Sequence, residues 1–130
     1  MAVAADAVYT RLSTYAGLTA LVSTRTYPVK AVQEPIKPFV WFRMISEVRP
    51  STMSVDTGLV GTVFETNAIA DTAESSSNVA EQVRAALQRW RDSGASPAIV
   101  DSFMVNRRVF FEEGKEEIRT LAEFLVWSRE

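Results

Sequence analysis

The run Phe39-Val40-Trp41-Phe42-Arg43-Met44-Ile45-Ser46-Glu47-Val48 decides the fold of this chain. Aromatic and β-branched residues dominate it and Pro38 precedes it, so the sequence predicts a long β-strand that begins just after the proline. Side chains alternate between the two faces of a strand. The more apolar face, predicted to face the core, carries Val40, Phe42, Met44, Ser46 and Val48. Trp41 and Arg43 then lie on the opposite face, where an exposed tryptophan often marks a protein interface.

Two further strands are predicted around this run. Residues 26–29 are predicted to form a short edge strand or the end of a strand, because Pro28 cannot donate a hydrogen bond to a sheet ladder. Residues 59–70 form a second long strand, in which Gly61 indicates a bulge or a close backbone approach. The polar connection over residues 49–58 is longer than a typical hairpin turn.

The N-terminal part of the chain is predicted to be helical. Val8 and Leu12 lie four residues apart, which puts them on one face of a helix over about residues 4–12. Gly17 interrupts this pattern. The apolar spacing over residues 18–22 then predicts a short second helical turn.

A long amphipathic helix is predicted after the second long strand. Asp71 or Thr72 is suited to cap its N-terminus, and the helix is expected to run to about Ser93 and to stop at Gly94. Its apolar stripe consists of Val79, Val83, Ala86, Leu87 and Trp90. This stripe predicts that the helix packs on the core.

The last third of the chain is predicted to be a hairpin. Its strands cover about residues 99–112 and 118–128, and Gly114 in the turn is free to adopt a positive φ. The order of elements predicts an α+β fold: a mostly antiparallel sheet of four to five strands, with an N-terminal helix and one long amphipathic helix packed on one face. The length of 130 residues suits a single domain over residues 1–130.

Composition excludes several kinds of chemistry. The chain has no cysteine and no histidine, which rules out Ser-His-Asp and Cys-His catalysis and most zinc sites. Its net charge of −2 gives no general footprint for nucleic acid. The N-terminal residues lack a basic segment and a long apolar core, so no signal peptide is expected. The apolar runs are too short to span a bilayer.

Two acidic patterns were candidates for chemistry. Asp101 followed by Glu113-Gly114-Lys115 loosely imitates the carboxylate and lysine set of some metal-dependent nucleases. The glycine makes that triplet a turn, which does not hold ligands rigidly. The acidic turn region consists of Glu112, Glu113, Glu116 and Glu117, with Lys115 as the only offset. It lacks the alternating spacing of a calcium loop, and a solvated turn explains it equally well. We therefore expect no catalytic residue, metal or cofactor.

Five segments together resemble one known family. They are Leu18-Thr19-Ala20-Leu21-Val22, Arg25-Thr26-Tyr27-Pro28, Pro38-Phe39-Val40-Trp41-Phe42, Ala80-Glu81-Gln82-Val83-Arg84-Ala85-Ala86-Leu87 and Phe124-Leu125-Val126-Trp127-Ser128-Arg129-Glu130. In order and spacing the chain resembles the tail-terminator, or tail-completion, proteins of long-tailed bacteriophages and gene-transfer particles. It departs from them at Asn67-Ala68-Ile69-Ala70, where the family often has an aromatic residue followed by alanine.

The resemblance implies a structural virion protein that is not an enzyme. Such proteins form a ring, usually hexameric, on the end of a completed tail tube. The ring stops tube growth and offers a surface for the head–tail connector or stopper protein, and DNA passes through its lumen without specific binding. The implied location is the tail or neck of the virion, with the host cytoplasm as the place of assembly, and no membrane is involved.

Candidate residues for these roles follow from the sequence. The subunit-interface candidates are Met53, Val55, Asp56, Trp41 and Arg43. The lumen-lining candidates are Glu112, Glu113, Lys115, Glu116 and Glu117. Three alternatives stay open: another head–tail connector or tail-tube-like subunit, a small α+β ligand-binding or regulatory domain, and a metal-dependent nuclease that uses Asp101.

Overall fold

A computed structural model describes residues 4–28, 36–49, 58–95, 97–112 and 117–129. The helices are α1 (Ala4–Thr14), α2 (Ala16–Val22) and α3 (Ala73–Leu87). The strands are β1 (Thr26–Pro28), β2 (Phe39–Val48), β3 (Leu59–Ala70), β4 (Ile99–Glu112) and β5 (Glu117–Arg129). The predicted α+β class and the strand predicted over residues 39–48 are confirmed.

The strands form one five-stranded sheet in the order β1-β2-β3-β5-β4. The pairs β2–β3, β3–β5 and β4–β5 are antiparallel, and the short β1 runs parallel to β2. The predicted edge position of the Pro28 segment is therefore confirmed. β5 returns between β3 and β4, so β4 forms the other edge of the sheet.

All three helices cover the same face of the sheet. Their apolar side chains join one core cluster with side chains from the sheet, namely Val40, Phe42, Phe64, Ala68, Ile99, Ala122, Phe124 and Val126. On β3 and β5 these are alternate residues, as expected for one face of a sheet. Four of the five predicted stripe residues of α3 are buried within the helix, and Trp90 is buried just beyond it.

The core face of β2 differs from the prediction in its second half. Val40 and Phe42 are buried as predicted, but the side chain of Met44 is 55% exposed and that of Val48 equally so. The pairing with β3 shifts by one residue at Ile45, a bulge that exchanges the faces of the residues after it. No described helix extends over this end of β2, so the prediction that Met44, Ser46 and Val48 face the core was wrong.

Helix α3 starts as predicted and ends earlier than predicted. Thr72 caps it, accepting a hydrogen bond from the Ser75 N–H at 3.1 Å. The helix ends at Leu87 rather than near Ser93, because the next residues bond to β4 instead. The Gln88 side-chain oxygen accepts the Met104 N–H at 2.8 Å, and the Arg89 N–H donates to the Ser102 carbonyl at 2.5 Å.

Gly61 marks a close approach, one of its two predicted explanations. It lies opposite Trp127 in the β3–β5 ladder. A Cβ atom at Gly61 would lie 2.9 Å from the Trp127 ring, which is closer than real contacts allow. The indole therefore packs directly on the backbone of β3.

Candidate assembly interface

The face of the sheet opposite the helices is not covered by any described helix or strand. We call it the open face. Register places its side chains in rows across four strands. One row contains Trp41, Asn67, Leu121 and Arg108, and the next contains Arg43, Glu65, Glu123 and Asn106. A row of charged and polar side chains thus lies beside a row of mixed apolar and polar side chains, a mixture typical of non-obligate protein interfaces.

Trp41 and Arg43, two predicted interface residues, form one cluster on the open face. The guanidinium of Arg43 lies 5.9 Å from the centre of the Trp41 ring, within cation–π range. Its Nε also donates to the carboxylate of Glu65, directly across the β2–β3 ladder. Glu65 is only 7% exposed, so this ion pair compensates the burial of its charge.

Two further polar residues of the open face escaped the sequence analysis. Asn67 is fully buried, and neither atom of its side-chain amide has a hydrogen-bond partner in the described part of the chain. Arg119 stacks its guanidinium 4.7 Å from the centre of the Phe110 ring on the neighbouring strand. Sequence alternation could place both residues on this face, but their neighbours depend on the order β3-β5-β4, which alternation does not reveal.

Only one acidic residue of the predicted lumen set has a described side chain. Glu117 opens β5, and its carboxylate lies 3.7 Å from Lys37 Nζ. Lys37 also contacts the Asp71 carboxylate at 3.4 Å. Glu112 is described by its backbone alone, which pairs with Glu117. The other predicted members, Glu113, Lys115 and Glu116, lie outside the described residues, as do the interface candidates Met53, Val55 and Asp56.

On the helix side, an ion-pair cluster joins β4 to α3. Arg107 donates to Glu81 at 2.6 Å, and Arg84 donates to the other carboxylate oxygen at 3.0 Å. The hydrogen bond from Arg107, followed by that from Arg84, lowers the pKa of Glu81. Arg108 pairs with Leu121 and is exposed on the open face, so these two neighbouring arginines point to opposite faces of the sheet.

Asp101, the residue of the nuclease alternative, lies in a salt-bridge cluster. Arg89 contacts its carboxylate at 2.8 Å and Arg91 at 3.6 Å, and the Ser102 N–H donates to it at 2.9 Å. Burial raises the pKa of Asp101, but the Ser102 N–H and the two guanidinium groups outweigh this and lower the pKa. Within the described ranges, no group of three or more acidic side chains could hold a metal ion.

A shallow cavity of about 390 Å³ lies between α1 and the segment after α3. Its lining includes Asp6, Thr10, Arg11, Trp90 and Asp92. The acidic and hydroxyl side chains among these are exposed rather than buried. A buried polar lining, which would favour the ligand-binding alternative, is therefore not what this cavity offers. No helix in the described part of the chain is long and apolar enough to cross a membrane.

The fold and these surfaces define a small α+β domain with one helix-covered face and one open face of mixed apolar and charged side chains. The chain belongs to the tail completion protein gp17 family, whose model matches residues 6–128. It is therefore a structural protein of phage tails, located in the virion tail, and the resemblance seen in the sequence is confirmed.

A solved structure supports the same fold. A chain in the virion of a native gene transfer agent particle is similar, with a TM-score of 0.73 and 22% sequence identity. The similarity covers 97% of this chain and 94% of that chain. Among curated proteins, none matches the chain.

Proposed function

We propose that the chain forms a closed ring of identical copies on the end of the completed tail tube. The ring is proposed to be a hexamer, as the resemblance to tail terminators implies. There it stops tube growth and provides the surface for the head–tail connector. Membership of the tail completion family over residues 6–128 carries this proposal. A ring of identical copies needs two different, complementary patches on each copy.

The proposed role is structural and requires no catalysis and no cofactor. The chain contains neither histidine nor cysteine, the residues that most often supply general acid–base and thiolate chemistry. The carboxylate of Asp101 is engaged by Arg89 and Arg91. In the part of the chain that the structure describes, the nuclease alternative therefore has no observation in its favour.

The proposed contact between copies includes Trp41 and Arg43 on the open face, together with Met53, Val55 and Asp56 in the 49–58 connection. In this proposal the connection orders against the neighbouring copy. Replacing residues 51–57 with a Gly/Ser linker of equal length keeps the reach of the connection and removes its side chains. We expect this variant to lose the ring. If native mass spectrometry still shows an intact ring, the connection is not part of the contact between copies.

The acidic turn region, Glu112, Glu113, Glu116 and Glu117 with Lys115, is proposed to line the lumen. Carboxylates repel the DNA phosphates, so that DNA passes without binding. Changing the four glutamates to lysine should slow DNA release, and more strongly at low salt because screening is then weaker. Release at the parent rate at every salt concentration would contradict this placement.

The ring itself is tested with the purified protein. Native mass spectrometry should give one closed oligomer, and negative-stain images should show a ring with a central hole. Adding the protein to growing tail tubes should halt their elongation. A series of ever-longer oligomers would instead indicate a tail-tube-like subunit. A closed ring that leaves tube growth unchanged would indicate another connector protein.

A further inference from the structure

Exposed apolar side chains concentrate on the two outer long strands of the sheet. Among the described residues, the large exposed ones on these strands are Met44, Ile45 and Val48 on β2, and Val100, Val105, Val109 and Phe111 on β4. In the same part of the chain, β3 and β5 carry no exposed large apolar side chain. The unpaired backbone N–H and C=O groups of an edge strand are a template for pairing with another chain, and exposed apolar side chains favour that pairing.

Among the described residues, the edge of β4 is occupied at one end and unpaired at the other. At the occupied end, Ser102 and Met104 bond to the segment that follows α3, so their backbone groups point away from β5. Backbone groups alternate in an antiparallel ladder, and the ladder shifts by one residue at Val105. Beyond that shift, the groups of Val109 and Phe111 point outward. No described residue outside the sheet bonds to them.

The edge of β2 is occupied at the opposite end. The Val40 N–H donates to the Arg25 carbonyl at 3.0 Å, and β1 covers β2 as far as Phe42. By the same alternation, and across the shift at Ile45, the backbone groups of Met44 and Glu47 point outward. In the described part of the chain, nothing outside the sheet pairs with them. We call residues 43–48 the β2 half-edge and residues 105–111 the β4 half-edge.

We infer that the β4 half-edge of one copy pairs with the β2 half-edge of the next copy, so that a sheet continues from subunit to subunit. This inference rests on the proposed ring and identifies the surfaces that close it. The three antiparallel pairs make β2 and β4 antiparallel to each other. Copies joined side by side with their sheets in the same orientation therefore meet in an antiparallel pair. The two half-edges differ, as a head-to-tail ring requires.

One register matches the chemistry of the two half-edges. With Met44 of the next copy opposite Val109, two exposed apolar side chains meet. The bulge at Ile45 then brings Glu47 opposite Arg107, which pairs unlike charges. Opposite charges and apolar pairs across strands are both stabilising.

Cysteine cross-linking tests this register directly, because the chain has no cysteine of its own. A Met44→Cys, Val109→Cys double variant should form a ladder of disulfide-linked oligomers that ends at the ring size. In one copy these positions lie three strand spacings, about 14 Å, apart across the sheet and four residues apart along it, which is too far for an internal disulfide. Mixing the two single variants should give linked dimers only.

The matched control is Met44→Cys with Val100→Cys. Val100 is also exposed on β4 but lies beside its occupied end, so this pair should not form a ladder. The inference is overturned if the Met44→Cys, Val109→Cys variant forms the ring and both introduced thiols react with maleimide, yet no disulfide links the copies. It is also overturned if the control pair links equally well. Absence of any ring in the unmodified protein would instead overturn the proposed function.

A proline gives a second, independent test. Because the Val109 N–H points outward, Val109→Pro removes a donor that the single copy does not use, and proline is tolerated at such edge positions. The monomer should keep its circular dichroism spectrum and its Tm. Assembly should weaken roughly tenfold or more through the lost hydrogen bond and the disrupted edge. A folded Val109→Pro protein that forms the ring at the parent concentration would overturn the inference.

Discussion

At the scale of single residues, Gly61 shows what one absent side chain allows. The Trp127 ring lies where a Cβ atom would be, so Gly61→Ala must displace the indole. We expect a loss of about 1–3 kcal/mol in the free energy of unfolding, the usual cost of overpacking. Urea denaturation measures this loss.

Gly94→Ala is the control for this change. Its Cβ would meet only an ordinary contact at 3.5 Å, so we expect a change within about 0.5 kcal/mol. In the Trp127→Ala background, Gly61→Ala should lose most of its effect. Equal effects of the two glycine changes would show that the indole contact is unimportant.

For Asn67 the expected change in the free energy of unfolding has the opposite sign to that for Gly61. Its amide is buried without a described partner, and such a group costs about 1–3 kcal/mol of desolvation. Asn67→Leu has a similar size and no polar atoms, so we expect the free energy of unfolding to stay level or to rise by about 1 kcal/mol. Chemical denaturation would decide this. A clear loss of stability would mean that the amide is satisfied in solution.

At the scale of elements, the contact between α3 and β4 should respond to pH. The pKa of Glu81 is lowered in the folded state by Arg107 and Arg84, so the contact stabilises the fold above the ordinary pKa of 4.5. This stabilisation is lost as the pH falls through the lowered folded pKa. The Tm of Glu81→Gln should therefore fall less than that of the parent between about pH 6 and pH 3.

The side chain of Glu81 is 44% exposed, so this effect is small, about that of a surface ion pair at well under 1 kcal/mol. Glu74→Gln is the control, on the same helix but with no ion pair among the described residues. The Glu81→Gln profile should differ from that of the parent by more than the Glu74→Gln profile does. If the Glu81→Gln profile were identical to both, protonation of Glu81 would not contribute to the loss of stability at low pH.

The elements also show how far the sequence could predict the structure. The bounds of β2 and the cap at Thr72 are local signals, and they were predicted. The end of α3 was not, because the Gln88 side chain and the Arg89 N–H bond to β4, a contact that no local pattern encodes. The exposure of Met44 was missed because the bulge at Ile45 depends on pairing with β3.

The candidate site was predictable to a smaller extent. Alternation placed Trp41 and Arg43 on one face, and the structure brings them together. It could not identify Glu65 as the partner of Arg43, because that pair depends on the register between β2 and β3. The two half-edges could not be predicted from the sequence either, since they depend on where β1 and the segment after α3 cover the sheet.

At the scale of the whole molecule, one core cluster joins all three helices to the sheet, so the domain should unfold in a single transition. Trp90 lies in that core, whereas Trp127 lies on the open face. Variants that keep one of these two tryptophans and carry Trp41→Phe report on the two sides separately. Their fluorescence midpoints should each coincide with that of far-UV circular dichroism. Separate midpoints within one variant would show that the two sides unfold independently.

The opposite covering of the two sheet edges has a geometric consequence for the proposed ring. Pairing Met44 with Val109 of the neighbour displaces successive copies by four rows of the sheet along the strands. Four rows span about 13 Å, and four strand spacings about 19 Å. Copies at one height around an axis must then incline their strands by about 35° to it, close to the tilt in closed β-barrels. If the strands ran parallel to the axis, each copy would lie about 13 Å above the last and the assembly would be a spiral. Closure of the ring therefore requires this tilt, and the direction of the offset sets the direction of the tilt.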